Sequence, residues 1–173
     1  MTLARRKVLL AGGGLAVLCA APALAAGETV IEMKGSARGE QVWFAPLGLA
    51  VAAGTRVRFV NRDPGNSHTA TCYHPSILDR PRRIPRAATP WDSGFLLPGD
   101  SFAVVPEVPG VYDFYCQPHE MAGMIGRLVV GRPGDPGWEA PDYPPGDLPE
   151  VALAAFPAVA EILRQPVLKG GTP

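Results

Sequence analysis

Residues 115–124 constrain this chain more than any other stretch. They read Tyr-Cys-Gln-Pro-His-Glu-Met-Ala-Gly-Met, so a thiol at Cys116 is followed by an imidazole at His119 and a thioether at Met124. A loop between two strands can present these groups together, because Pro118 fixes φ and favours a turn. Gly123 adds no side chain, so the chain can fold back there. The run therefore predicts a metal site on a loop.

The chemistry of these groups favours a soft, redox-active ion. Copper in blue electron-transfer sites takes two imidazoles and one thiolate in a trigonal plane, with a weak and long axial Met. One imidazole is missing from the run, and His68 is the candidate for it. Zinc is the competing metal, because two imidazoles and a thiolate can bind it tetrahedrally with a water. A thioether adds nothing to a zinc site, so Met124 favours copper.

The pattern Cys-x2-His-x4-Met, with Val-Tyr-Asp-Phe-Tyr before it and Ile-Gly-Arg-Leu-Val-Val after it, resembles the plastocyanin/pseudoazurin type of small cupredoxin. The resemblance covers roughly residues 29–131. It implies an all-β fold, a Greek-key β-sandwich, with one type 1 copper ion per chain. It also carries over a set of four metal ligands: His68, Cys116, His119 and Met124.

The same resemblance implies a carrier of single electrons between redox partner proteins, such as cytochromes or copper or haem oxidoreductases. Four protein ligands leave no open position for a substrate, which argues against an enzyme. The resemblance further implies that His119 lies nearest to solvent, ringed by Pro118, Met121 and Ala122, and that partners dock briefly there. We expect a monomer. Nucleic acid is not an expected partner, because no basic patch is interleaved with aromatic residues.

Two other classes of function stay open. Copper delivery or storage is one, because Cys72, His74 and Met121 offer further groups that bind copper. A subunit of a copper enzyme is the other, although the sequence has no His-x-His pairs for a trinuclear cluster and no Cys-x3-Cys for a binuclear centre. Met121 is also the alternative axial ligand. Cys72 is expected to behave as a small buried hydrophobic residue; a disulfide with Cys116 would consume the thiolate and is not expected.

One position departs from the family pattern. The residue after the first ligand is commonly Asn in plastocyanin-like proteins, where its side chain ties two ligand loops together, and here it is Thr69. A hydroxyl can make a similar bond. The substitution leaves the tuning of the thiolate open, because groups around a metal ligand adjust its electronic properties.

Residues 1–25 have the features of a secretory signal peptide. A basic start at Arg5, Arg6 and Lys7 precedes an apolar run and a small-residue cleavage site at residues 23–25. The arginine pair resembles a twin-arginine signal, which addresses folded proteins to the bacterial Tat exporter. We therefore expect a periplasmic or extracellular protein without a membrane span. Losing these three cations reduces 16 Lys+Arg to 13 against 16 Asp+Glu, a formal charge of −3.

Residues 26–131 are expected to form the sandwich. Residues 29–34 alternate loosely, as in a half-buried edge strand, and residues 56–61 alternate through Val57 and Phe59. A strand over residues 68–73 would place Cys72 on the interior side with His68. Short strands separated by Gly and Pro, with no long helical period, favour a β-sandwich.

Residues 74–90 are predicted to be an irregular insertion with up to one helical turn. They include Arg80, Arg82, Arg83 and Arg86. These arginines are expected to be solvated, with a docking patch for an acidic partner as the alternative.

Residues 132–173 form a Pro-rich extension that contains nine of the 20 prolines. An extended linker that favours polyproline II is expected over residues 132–149. Apolar residues at helical spacing predict a short amphipathic helix over residues 150–163, interrupted by Pro157. The sequence does not decide whether this tail packs on the sandwich or binds a partner.

Overall fold

Two β-sheets face each other in the computed structural model, which describes residues 27–141 and 148–169. The predicted signal peptide, residues 1–25, lies outside these ranges. The first sheet is formed by β1 (Glu28–Gly35), β2 (Val42–Ala45), β4 (Arg56–Asn61) and β6 (Ser101–Val104), in the spatial order β2-β1-β4-β6. The second is formed by β3 (Gly48–Val51), β5 (Thr71–Cys72), β7 (Gly110–Tyr115), β8 (Ile125–Val130) and β9 (Val167–Leu168), in the order β5-β7-β8-β3-β9. The predicted β-sandwich is thus confirmed.

The core lies between the two sheets and contains three edge-to-face phenylalanines. Phe44 and Phe59 come from the first sheet and Phe114 from the second, with ring centroids 4.9 to 6.2 Å apart. All three are fully buried. Val57 is buried with Phe59, as the alternation of β4 predicted. These contacts join the two sheets near the end of the sandwich that carries the loop between β7 and β8.

The prediction that residues 29–34 form an edge strand was wrong. Strand β1 pairs antiparallel with β2 on one side and parallel with β4 on the other. Its outer face carries Glu28, which accepts hydrogen bonds from Arg56 and Arg58. Alternation in a sequence reports which faces of a strand are buried, and it does not report how many neighbours the strand has.

The segment predicted as one strand over residues 68–73 contains two shorter pairings. His68 bridges Leu96, and only Thr71 and Cys72 form the strand β5. Cys72 is fully buried, as predicted, and its Sγ accepts a hydrogen bond from the Trp91 N–H at 3.2 Å. Both Cys72 and Cys116 are free thiols, which agrees with the expectation that they do not form a disulfide.

The expectation that the arginines of the insertion are solvated was wrong for Arg80 and Arg83. Arg83 is buried and donates to Asp113 on β7 at 2.9 Å; Arg127 on β8 donates to the same carboxylate at 2.7 and 3.0 Å. Arg80 pairs with Glu120. A buried carboxylate requires hydrogen-bonded cations around it, so the insertion is attached to the sandwich by charge. Arg82 and Arg86 are exposed, as expected.

The start of the C-terminal extension differs from the predicted extended linker. Asp135 accepts a hydrogen bond from the Arg132 N–H and closes a turn, and Glu139 forms a β-bridge with Gly110 at the start of β7. Residues 142–147 lie outside the described ranges. Within residues 132–141, therefore, the chain turns and returns to the second sheet.

The rest of the extension packs on the sandwich. Two helices, α1 (Glu150–Ala155) and α2 (Val159–Arg164), replace the single predicted helix, and Pro157 lies in the break between them as expected. Ala152 and Ile162 are fully buried. Strand β9 then adds an edge to the second sheet beside β3. In the two described ranges, no helix combines the length and the apolar character that crossing a membrane requires.

Candidate metal centre

The loop after β7 folds back on itself. Cys116 follows the last residue of β7, and a 3-10 helix (Gln117–Ala122) with Pro118 in its first turn comes next. Gly123 ends this helix at φ 77°, in the left-handed region that favours glycine. The Cys116 N–H donates to the Met124 carbonyl at 3.0 Å, and the Met124 N–H donates to the His119 carbonyl at 3.1 Å. The backbone thus brings both ends of the motif together, as the sequence predicted.

His68 reaches this loop from a separate part of the chain. Its N–H and carbonyl pair with the carbonyl and N–H of Leu96, at 3.1 and 2.8 Å. Both pairings hold the backbone beside the loop, and the His68 side chain has no exposed surface. The position of His68 therefore depends on contacts between segments far apart in sequence.

The side chains of His68, Cys116 and His119 converge. Nδ1 of His68 and Nδ1 of His119 lie 3.2 Å apart. Cys116 Sγ lies 3.6 Å from Nδ1 of His68 and 3.3 Å from Nδ1 of His119. A point equidistant from the three atoms is about 2 Å from each, close to metal–ligand bond lengths in proteins. Two imidazoles and a thiolate are also the planar donor set of a type 1 copper site. The residues present fit a copper ion.

Burial separates the two methionines of the loop. Met124 is fully buried, whereas Met121 is 75% exposed. An axial thioether must point inward beside the other ligands, so this difference favours Met124 and disfavours the alternative, Met121. Together, His68, Cys116, His119 and Met124 are arranged as in a type 1 copper site.

Thr69 links the two ligand segments through its backbone and its side chain. Its N–H donates to Cys116 Sγ at 3.3 Å, and its hydroxyl accepts from the Gln117 N–H at 2.8 Å. The hydroxyl therefore makes a bond of the kind considered for this position from the sequence. The Thr71 hydroxyl lies 2.9 Å from that of Thr69 and extends this network.

The electrostatics of the centre follow from burial. Burial raises the pKa of the Cys116 thiol to about 11, so a thiolate there requires a cation beside it. Burial also lowers the pKa of His68 and of His119, and at His119 the neighbouring His68 lowers it further. Neutral imidazoles with free lone pairs are the form that binds metal ions.

Sequence reasoning missed Asp63, whose Oδ2 lies 3.0 Å from His68 Nε2. Its carboxylate is 1% exposed. Burial by itself raises the pKa of Asp63, but hydrogen bonds from Asn66, Gly65 and His68 outweigh it, and the pKa lies below its usual value. An Asp before Pro-Gly is typical of a turn. The sequence therefore explained Asp63 as a turn residue and gave no reason to expect its contact with His68. The short separation from His68 was the available signal.

The other groups considered as copper ligands do not join the site. Among the His, Cys, Asp and Glu side chains of the described ranges, the group close enough to hold a metal is His68, Cys116 and His119. Cys72 lies in the core, and His74 Nδ1 contacts the Ser76 hydroxyl at 2.7 Å. Glu120, in the 3-10 helix of the ligand loop, accepts a hydrogen bond from the Tyr73 hydroxyl at 2.8 Å. This bond stabilises the loop without contributing a ligand.

Comparison with known proteins also indicates a copper-binding protein. The sequence model described as copper binding proteins, plastocyanin/azurin family, matches residues 31–131. Chloroplastic plastocyanin of Oryza sativa subsp. indica is 32% identical over 121 residues, which cover 69% of this chain and 76% of that protein. Plastocyanin of Prochlorothrix hollandica is 33% identical over 124 residues, 71% of this chain and 86% of that protein. The solved structure of pseudoazurin from Methylobacterium extorquens AM1 has a TM-score of 0.49 and 26% identity, and the match covers 62% of this chain and 78% of that one. This chain belongs to the plastocyanin/azurin family of copper-binding proteins.

Proposed function

We propose that this chain is an exported one-electron carrier with a single type 1 copper ion bound by His68, Cys116, His119 and Met124. The convergence of three ligand atoms within 4.8 Å of one another is the observation that carries the proposal. Membership of a family of electron carriers, the cupredoxins, supports it. Copper supplies a one-electron couple when bound.

The protein contributes a site that resists rearrangement. His68, Cys116 and Met124 are fully buried, and backbone hydrogen bonds close the loop that runs from Cys116 to Met124. Thr69 joins this loop to the segment that carries His68. Fixed ligands keep the geometry similar in both oxidation states, so little motion accompanies electron transfer.

His119 is the proposed exit for the electron. It is half-buried, whereas His68 and Cys116 are buried, so its ring is the ligand that reaches towards solvent. Pro118, Met121 and Ala122 in the same loop are exposed. Their apolar surface suits the small, brief contacts of redox encounters. We propose redox proteins such as cytochromes as the partners.

Two further exposed apolar side chains come from the segment that pairs with His68. Phe95 and Leu97 are 64% and 61% exposed. They flank Leu96, whose backbone pairs with His68. Their position beside the pairing partner of a ligand supports a docking face wider than the ligand loop alone.

The absence of catalysis and the export of the chain are parts of the same proposal. Four protein ligands would leave no coordination position for a substrate. The basic start and apolar run of residues 1–25 support export to the periplasm or outside the cell. A search for oxidase activity in the purified chain tests the first statement, and fractionation of cells that express the full sequence tests the second.

Visible and EPR spectra of the copper-loaded chain test the function. We expect an intense blue colour in the copper(II) form that disappears on reduction and in Cys116→Ser, because the copper–thiolate bond causes it. Cys72→Ser is the matched control, since Cys72 is equally buried and lies outside the ligand cluster. A colourless wild-type chain fully loaded with copper(II), or loss of the colour in Cys72→Ser, would refute the proposal.

A further inference from the structure

The carboxylate of Asp63 is buried against the end of β1. A Cβ placed on Gly35 would lie 1.9 Å from Asp63 Oδ2, so the bare backbone of Gly35 makes the space for this group. An isolated buried charge is very unfavourable and requires hydrogen-bond donors. The donors come from its own loop: the Gly65 N–H at 2.8 Å, Asn66 Nδ2 at 2.8 Å and His68 Nε2 at 3.0 Å.

The contact with His68 determines which ring nitrogen carries the proton. An ionised carboxylate only accepts hydrogen bonds, so Nε2 of His68 is the protonated nitrogen. Nδ1 then presents a lone pair, and this is the atom that faces Cys116 Sγ and His119 Nδ1. A carboxylate bonded to the far nitrogen of a ligating histidine fixes the orientation of the ring and makes it a stronger donor.

We propose that Asp63 is a positioning residue for the copper site, which fixes the His68 tautomer and adds a buried negative charge that favours copper(II) over copper(I). The inference rests on the proposed ligation by His68. It goes beyond the proposed function because it assigns part of the reduction potential to a residue outside the ligand set. The competing explanation is that Asp63 only shapes its loop through Gly65 and Asn66.

Asp63→Asn separates these explanations. The variant keeps the size of the side chain and one acceptor oxygen but removes the charge. We expect the ratio of copper(II) to copper(I) affinity to fall about tenfold, which raises the one-electron potential by 59 mV. The measurement is redox titration followed at the blue absorption band.

Two control variants accompany it. Asn66→Ala removes another hydrogen bond to the same carboxylate and leaves the charge beside His68. Glu28→Gln removes one negative charge at the start of β1, where Glu28 pairs with Arg56. Arg56 begins β4, whereas Asn61, two residues before Asp63, ends it. We expect both to keep the affinity ratio within about twofold of the wild type. An unchanged potential in Asp63→Asn, or an equal shift in Asn66→Ala, would overturn the inference.

The metal-free wild-type chain gives a second readout, which applies even if Asp63→Asn does not fold. Nitrogen-15 NMR of the imidazoles at neutral pH should show His68 with its proton on Nε2. A proton on Nδ1 would overturn the inference. Because this readout needs no copper, it is independent of the proposed function, which fails separately if the wild-type chain takes up copper(II) without turning blue.

Discussion

The Thr69 hydroxyl accepts a hydrogen bond from the Gln117 N–H at 2.8 Å. This bond joins the segment that begins at His68 to the loop that begins at Cys116, across 48 positions of sequence. His68 and Cys116 therefore keep their relative positions through Thr69, which is not itself a ligand.

Replacing Thr69 by Val tests this link. The variant has nearly the same shape, but it leaves the part-buried Gln117 N–H without its acceptor, and an unsatisfied donor costs about 1–3 kcal/mol. We expect that loss in the free energy of unfolding of the metal-free chain, measured in urea. Thr69→Ser is the control, because it keeps the hydroxyl and loses only a methyl group, worth about 0.8 kcal/mol. A Val variant as stable as the Ser variant would contradict the assignment.

Substitution of the two methionines tests which of them is axial. Met124→Leu should raise the reduction potential, because copper(II) loses a sulfur donor that stabilises it. A tenfold change in the affinity ratio, or about 59 mV, is the expected scale. Met121→Leu, the same change at a 75% exposed site, should leave the potential and the spectrum unchanged. The opposite result would make Met121 the ligand.

Copper uptake should release about one proton at pH 7. Burial raises the pKa of Cys116 to about 11, so its thiol is protonated before the metal binds. Burial lowers the pKa of both His68 and His119, so they bind copper without losing a proton. The release should decline as the pH rises through about 11, where the thiol ionises by itself.

Calorimetry in buffers of different ionisation enthalpy measures this proton. Cys116→Ser should release none at pH 7. A release of two or more protons by the wild-type chain would mean that a histidine is charged before copper binds.

The C-terminal extension should stabilise the sandwich through Phe156. The guanidinium groups of Arg83 and Arg127 both lie over its ring, with Cζ 4.8 and 5.0 Å from the ring centroid. Phe156→Ala should cost about 2 kcal/mol, less than the 3–5 kcal/mol of a fully buried Phe, and should expose residues 148–169 to protease. Phe95→Ala, the same change at a 64% exposed side chain, should have little effect on stability. Equal losses in both variants would contradict this role.

Gly126 on β8 should not tolerate a methyl group. A Cβ there would lie 2.3 Å from the tip of the Phe114 ring, which is fully buried among other aromatic rings. Gly126→Ala should therefore destabilise the chain by about 1–3 kcal/mol, the usual cost of overpacking. Gly27→Ala is the control, because nothing lies within 4 Å of a Cβ at that position. Thermal unfolding of the two variants makes the comparison.

The sequence alone determined the ligand set that we propose. Cys116, His119 and Met124 lie within nine residues, so local chain geometry brings them together, and Pro118 and Gly123 indicate the turns that do so. His68 could be selected because the chain has three histidines and the chemistry requires a second imidazole. Alternation identified the buried face of β4, and Pro157 identified the break in the terminal helix.

Only the tertiary structure decided the contacts between distant segments. The sequence could not show that Asp63 lies beneath Gly35 and against His68, because a turn residue looks the same whether or not a second element covers it. Nor could it show that Arg83 shares Asp113 with Arg127, since an arginine in a Pro-rich loop is ordinarily solvated. A short motif carries its geometry in its own backbone, whereas the burial of a charge depends on which distant strand supplies its partner.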